Sequence, residues 1–376
     1  MNTQTRESQS APITIPSRPG EPVAIPSIHE ILTTTDPDRF VARHTDIAAV
    51  NLACATGLPN AEDIDIPKCL ALLDRMAGAV RQHTEQSWRL FKIKPAEFRN
   101  SENVFRVLMM EHVLRVQFKV KYDPLVREAV RTDKEWNTSD SSAIFIHGIL
   151  NEKRTGTCSS LPTFSIAVGR RLGYPLKLVR VPNHTVFRWD DPQEKVNFQH
   201  TKAGTDIRSD EYFHTWPEKW DETMYELNAR CKVWLHSMTP RQEVSKFLCN
   251  RALILREIGR FPEALHALQA AARFDPINPA CPDIRSHIQQ KTTGGVDAPQ
   301  AAASLSQSAR AFLASPLALP IEPGPDQLLN ALDVFRDRSK DPEHLHVRIT
   351  RIAEEARQAN AIKIVRLNLQ EKERTP

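Results

Sequence analysis

Cys158 stands in the stretch Arg154-Thr155-Gly156-Thr157-Cys158-Ser159-Ser160-Leu161-Pro162, and His184 opens the later segment His184-Thr185-Val186-Phe187-Arg188-Trp189. A thiol followed by an imidazole is the pair required for thiolate chemistry, in which sulfur attacks a carbonyl carbon and the ring moves the proton. Asn197 and Gln199, on the segment after the histidine, carry amides able to orient that ring.

The elements that must position these groups can be read from periodicity. From Ser159 to Leu172 the apolar residues Leu161, Phe164, Val168 and Leu172 recur at intervals of three and four, and Gly173 and Pro175 follow. This predicts a helix with Cys158 in its first turn and Thr157 as its N-cap. The unpaired N–H groups of such a turn are expected to favour thiolate and lower the thiol pKa. Leu176 to Val181 and His184 to Trp189 read as two strands around a Pro182-Asn183 turn, and Lys195 to Thr201 as a third alongside them. Alternation puts His184, Val186 and Arg188 on one face and Asn197, Gln199 and Thr201 on a common face of the next strand. An oxyanion hole would use the Cys158 N–H and a second donor that the sequence leaves unassigned.

The same residues also fit a plainer role. Cys158 lies on the helix face of Leu161, Ser165, Val168 and Leu172, where cysteine packs as a small hydrophobe. His184 alone would serve as a hydrogen-bonded structural histidine, and Asn197 and Gln199 as ordinary strand polar residues.

Three runs tie these segments together: Phe145-Ile146-His147-Gly148-Ile149-Leu150, then Gly156-Thr157-Cys158-Ser159-Ser160-Leu161-Pro162, then the stretch from Val168 to Val179 that contains Gly169-Arg170-Arg171-Leu172-Gly173-Tyr174-Pro175. In this order they resemble the bacterial transglutaminase-like superfamily, in particular its subgroup with a helical front half and a tetratricopeptide tail, over roughly residues 40 to 280. The resemblance implies a papain-like triad of a helix-borne cysteine, a strand histidine and an acid on the next strand. Cys158 matches the cysteine and His184 the histidine. The third element normally reads Asp or Glu, any residue, then Thr; here it reads Gln199-His200-Thr201, so a neutral amide replaces the carboxylate. An amide still fixes the ring tautomer but stabilises an imidazolium less.

Around this core, 376 residues suffice for two or three domains, and 50 basic against 46 acidic residues leave a formal charge of +4, too balanced to argue for nucleic acid or a membrane surface. The six cysteines contain no Cys-x-x-Cys pair, and no His-Glu-x-x-His accompanies Glu111-His112, so no metal or other cofactor is expected. No apolar run reaches membrane-spanning length and no secretory signal opens the chain, which makes the cytoplasm the expected location.

Proline-rich residues 1–27 read as a flexible leader. Residues 28–140 read as a helical domain in which Cys69, Leu73, Met76 and Val80 form one stripe and Phe105, Met109, Val113 and Val116 another. Residues 141–238 are the transglutaminase-like core, with a further helix expected around Asp221 to Ser237. Within 239–291, Asn250, Ala252, Leu255, Gly259, Phe261, Ala264, Leu268, Ala271, Asp275 and Pro276 fall at the spacing of one tetratricopeptide unit, which must pack on a neighbour to bury both faces. Residues 292–325, rich in Ala, Ser and Pro, read as a linker, and 326–376 as C-terminal helices with a Leu345, Ile349, Ile352, Ala356, Ala359 stripe.

The expected fold class is α+β: a helical N-terminal region, a papain-like core with an antiparallel sheet, and C-terminal helices. Two functions follow from different features. One is a cysteine-dependent amide or peptide hydrolase or acyltransferase with a protein or peptide substrate; the other is a non-catalytic scaffold that uses the helical tail for protein contacts.

Overall fold

The computed structural model describes residues 23–124 and 139–292, apart from residues 183, 202–203, 217–218, 221–224, 226–227 and 230. Most of the leader, the linker beyond residue 292 and the C-terminal helices with their Leu345 to Ala359 stripe lie outside the described residues.

The front of the chain is helical because short polar caps alternate with apolar stripes. Helices α1 (Ile28–Thr33), α2 (Pro37–Arg43), α3 (Ile47–Ala55), α4 (Ile66–Gln86) and α6 (Glu102–Val116) begin after Ser27, Asp36, Asp46, Asp65 and Ser101, whose side chains each accept a first-turn N–H. Each such cap contributes about 1 kcal/mol. A short α5 (Trp88–Ile93) joins α4 to α6. Leu73, Met76 and Val80 are buried as expected along α4, with Cys69 half-buried. On α6 the expected stripe holds at Phe105 and Val113, but Val116 is 50% exposed; Val104, Val107, Met110 and Leu114 complete the buried face instead.

The middle of the chain forms the sheet. A two-residue β1 (Lys121–Tyr122) pairs in parallel with β2 (Thr155–Gly156), with the one-turn helices α7 (Ser141–Ile144) and α8 (His147–Leu150) before β2. After α9 (Leu161–Arg171), strands β3 (Leu176–Val181), β4 (His184–Asp190), β5 (Lys195–Thr201) and β6 (Gly204–Arg208) form an antiparallel meander in sequence order. Leu176, Leu178, Phe187, Trp189 and Phe198 face α9 and the main core, while Val179, Val181 and Val186 face a second cluster with Phe213 of the one-turn α10 (Asp210–Phe213), Trp220 and Trp234.

Of the helix expected around Asp221–Ser237, the described residues Tyr225, Asn228, Ala229 and Cys231 are helical, but it does not extend to Ser237. Residues 232–237 are irregular, Val233 to Leu235 fill the second cluster, Leu235 N–H donates to Arg180 O at 2.9 Å, and Ser237 bridges to Val179. The segment from Val233 to Ser237 thus covers the open edge of β3.

Helices α11 (Pro240–Glu257) and α12 (Phe261–Phe274) form a helical hairpin around Gly259, at φ 77°, followed by α13 (Ala280–Thr292). A capping box between Thr239 and Gln242 starts α11. The hairpin packs on the core and on the front helices: Glu243 accepts from Arg170 Nη1 at 3.0 Å, Arg251 donates to Cys54 O and Thr56 O at the end of α3, and Arg273 donates to Thr34 O after α1. The guanidiniums of Arg251 and Arg273 satisfy carbonyls that the helix ends leave open. One continuous apolar cluster runs from Ile31 through α9 and the sheet to Ile288. The chain is therefore α+β, with an antiparallel sheet between helical segments.

Candidate functional site

The turn that carries Cys158 is built by its own hydroxyls. Thr157 Oγ1 accepts the Ser159 N–H at 3.2 Å, Ser160 Oγ accepts the Thr157 N–H at 3.0 Å, and Leu161 N–H reaches Thr157 O at 2.9 Å. Helix α9 itself begins at Leu161, with Ser160 as an N-cap that makes no side-chain cap bond, so Cys158 lies in the turn before the helix rather than in its first turn, and Thr157 is not the N-cap. Thr157 Oγ1 and Ser160 Oγ also donate to Ala143 O, which fixes this turn to α7. A side chain at Gly156 would meet Ser160 Oγ at 2.9 Å, so the turn needs glycine before it.

Chain topology turns the backbone of His184 back toward the start of α9, with its ring on the strand face of Val186 and the second cluster rather than on the face of Phe187 and Trp189 that meets the helix. Gly173, at φ 78°, ends the helix. A Cβ on Gly169 would lie 2.3 Å from Leu176 Cδ1, which shows how closely the end of α9 sits against the start of β3. Strand β3 then runs back along the helix, and Val181 pairs with His184 at its far end.

The ring of His184 packs edge-on against Trp216 at 5.2 Å, and its Nε2 is buried without a hydrogen-bond partner. Burial, reinforced by His200 and Lys246, lowers its pKa to about 4, so the imidazole is neutral at neutral pH. Among the described residues no hydrogen bond joins His184 to Cys158.

The Cys158 sulfur instead bonds the hydroxyl of Tyr122 and lies in the field of Lys246. Burial raises the thiol pKa above its ordinary 9.0, and Lys246, Tyr122 and the backbone only partly offset it. The expected lowering is reversed, because the desolvation of a thiolate here outweighs the helix terminus. At rest Cys158 is a thiol and His184 a neutral imidazole.

The two orienting amides differ in placement. Asn197 is committed elsewhere: its Oδ1 accepts Arg188 Nε at 2.6 Å, and its Nδ2 donates to Asp210 Oδ1 at 2.7 Å. Arg188 also pairs with Asp210 at 2.6 Å, so Asn197 belongs to a structural network that does not include His184. Gln199 is buried on the strand face that carries Asn197, opposite Asp206 of β6. Arg154, near the cysteine in sequence, donates to Ile149 O and Leu150 O and supplies no oxyanion donor.

Sequence reasoning missed several neighbours. Tyr122 comes from a strand too short to show periodicity. Lys246 Nζ and Asn250 Nδ2, one turn apart on α11, donate to Ser159 Oγ at 3.3 and 3.1 Å. Burial, with opposing contributions from Cys158 and Arg180, lowers the Lys246 pKa to about 8.

A carboxylate lies one step inward. Glu111 accepts from Ser165 Oγ at 2.6 Å and Thr205 Oγ1 at 2.9 Å, and its Oε2 lies 3.1 Å from His200 Nε2. Burial acts to raise the Glu111 pKa, but these partners hold it below the usual carboxylate value. The visible signal was a charge at a position flanked by Val107 and Leu114 on the buried face of α6. Glu111, Tyr122, Leu161, Ser165 and His200 line a cavity of about 50 Å³. A surface groove that includes Arg115 and Lys121 shares its mouth.

No known family model matches the chain, and neither a curated protein nor a solved structure matches it significantly. Among the described residues there is no metal-binding cluster of His, Cys, Asp or Glu, and no helix is long and apolar enough to cross a membrane.

Proposed function

We propose that Cys158 and His184 form the reactive pair of a transglutaminase-like, papain-type core, and that the protein is a cysteine-dependent hydrolase or acyltransferase acting on amide or ester bonds of a protein or peptide. One observation supports this reading: Cys158 lies in the turn that leads into α9, and β3, whose start packs against the end of α9, runs back to His184, whose Nε2 is buried without a hydrogen-bond partner. The α11–α12 hairpin fits a single tetratricopeptide unit used for packing.

Because the resting groups are both neutral, the chemistry runs by general base catalysis rather than through a preformed ion pair. His184 Nε2 takes the thiol proton as the Cys158 sulfur bonds to the carbonyl carbon. The ring returns that proton to the leaving amine or alkoxide as the bond breaks, and water or an amine then resolves the thioester. Cys158 N–H and the Tyr122 hydroxyl are the donors nearest the oxyanion.

Incubation with a p-nitrophenyl ester should give a burst and one acyl group on Cys158 by intact mass and peptide mapping. Cys158→Ala should lose the adduct, and His184→Ala should form it at least tenfold more slowly, the lower end of general acid–base contributions being about 100-fold. Acylation spread over several nucleophiles, unchanged in Cys158→Ala, would remove the assignment.

A second reading has its own observation: the half-buried thiol is bonded to Tyr122 with its pKa raised, and no carboxylate stands at the position of Gln199. In this reading the fold is a scaffold whose partner contacts lie in the helical tail. A partner retained by Cys158→Ala and lost on removal of residues 326–376 would favour it.

A further inference from the structure

Lys246 belongs to α11, nearly ninety residues from the cysteine in sequence, yet its ammonium is directed at the turn that holds the sulfur. Lys246 Nζ donates to Ser159 Oγ at 3.3 Å, and Asn250 Nδ2 donates to the same oxygen at 3.1 Å. Ser159 N–H is in turn held by Thr157 Oγ1, so the residue next to Cys158 is fixed on its backbone by the Thr157 hydroxyl and on its side chain by α11. Lys246 is half-buried.

We propose that Lys246 is a positioning residue for the nucleophile: its ammonium, delivered by the helical hairpin, stabilises the Cys158 thiolate as it forms. This inference rests on the assignment of Cys158 as the reactive thiol.

The charges around Lys246 support an electrostatic role. From β3, Arg180 is a second cation, but Asp275 after α12 pairs with it at 3.3 Å and partly cancels its field. From α11 itself, Cys249 is a thiol whose sulfur lies 3.1 Å from Cys281 on α13 and whose pKa is raised further by that neighbour, so it supplies no anion near neutrality. From β4, His184 is neutral. Among these described groups no carboxylate forms an ion pair with Lys246, so a thiolate at Cys158 is the anion its charge can meet. The coupling acts in both directions: Lys246 lowers the thiol pKa, and Cys158 raises that of the ammonium. A half-buried cation with no carboxylate partner costs stability, and cations placed this way are common where a nucleophile must be held.

The test compares iodoacetamide labelling of Cys158 at neutral pH in the full-length protein, Lys246→Met and Lys246→Arg, with circular dichroism to confirm folding. Labelling should slow about tenfold in Lys246→Met, the effect of roughly one pKa unit on the thiolate fraction, and should recover most of the loss in Lys246→Arg. Equal rates in the wild type and Lys246→Met would overturn the inference.

A second measurement on the unmutated protein covers the case in which Lys246→Met does not fold. Labelling of Cys158 should rise tenfold per pH unit below about pH 7.5 and level off over roughly one unit as Lys246 loses its charge near pH 8, because the cation that favours the thiolate is then gone. A rise that continues tenfold per unit through about pH 8 to 9 would overturn the inference independently. Failure of the acyl-transfer reading would appear differently, as a wild-type protein whose Cys158 labels in a Lys246-dependent manner but forms no acyl adduct.

Discussion

At the scale of single residues, the site is governed by desolvation. His147 is buried and His184 is half-buried with its Nε2 enclosed, and desolvation lowers the pKa of each to about 4 from an ordinary 6.5. The unfolded chain therefore binds protons between those values that the folded chain does not, so the associated stability is complete above about pH 6.5 and is lost as pH falls toward 4. Each ring accounts for up to about 3 kcal/mol at 1.36 kcal/mol per pKa unit. Urea unfolding at neutral pH and near pH 4.5 should show this loss, and His147→Gln should reduce it by about half; acid-independent stability would contradict the burial of both rings. Glu111 is the opposite case, a carboxylate held ionised by two hydroxyls and His200. Replacing it with alanine leaves Ser165, Thr205 and His200 without their common acceptor and should cost about 3 kcal/mol, measured as a lower urea midpoint.

At the scale of elements, close backbone approaches hold the cysteine turn. A Cβ on Gly148 would lie 1.8 Å from Ser142 O, a backbone atom that no rotamer change can move. Gly148→Ala should therefore displace α8 against α7, destabilise the fold by about 3 kcal/mol and loosen the Ala143 carbonyl that Thr157 and Ser160 use. A melting temperature unchanged in this variant would contradict the packing of the two helices. The same scale shows what could be read from sequence. Strands β3, β4 and β5 and helix α9 fall within two residues of their expected ends because their apolar residues alternate or recur in three-four steps and turn residues bound them. Strand β6, Gly-Thr-Asp-Ile-Arg, has no such alternation, and its five residues are all half-buried. The paired β1 and β2 are two residues each, too short for any period. The proposed pair of Cys158 and His184 was readable only as an order of residues and flanking elements. Lys246 and Tyr122 were not, because their relation to the cysteine exists only once α11 and β1 are packed beside it. The reversed thiol pKa was not legible either, since helix position is visible in a sequence and desolvation is not.

At the scale of the whole molecule, a single apolar cluster joins the front helices, the sheet and the tail hairpin. Thermal unfolding followed by circular dichroism and by tryptophan fluorescence should give one coincident transition, whereas two separated transitions would show that these segments fold independently. The continuity has a chemical consequence, because it is what brings α11 against the cysteine turn. The central claim is that Cys158 is activated by a neutral His184 rather than by pre-ionisation, and the pH dependence of Cys158 acylation by the activated ester tests it most directly. With a base of pKa about 4, the wild-type rate should be nearly flat from about pH 5 to 7, and His184→Ala should instead rise about tenfold per pH unit, following the small thiolate fraction of a thiol titrating above 9. A wild-type profile that climbs with that same slope and coincides with His184→Ala would contradict the account.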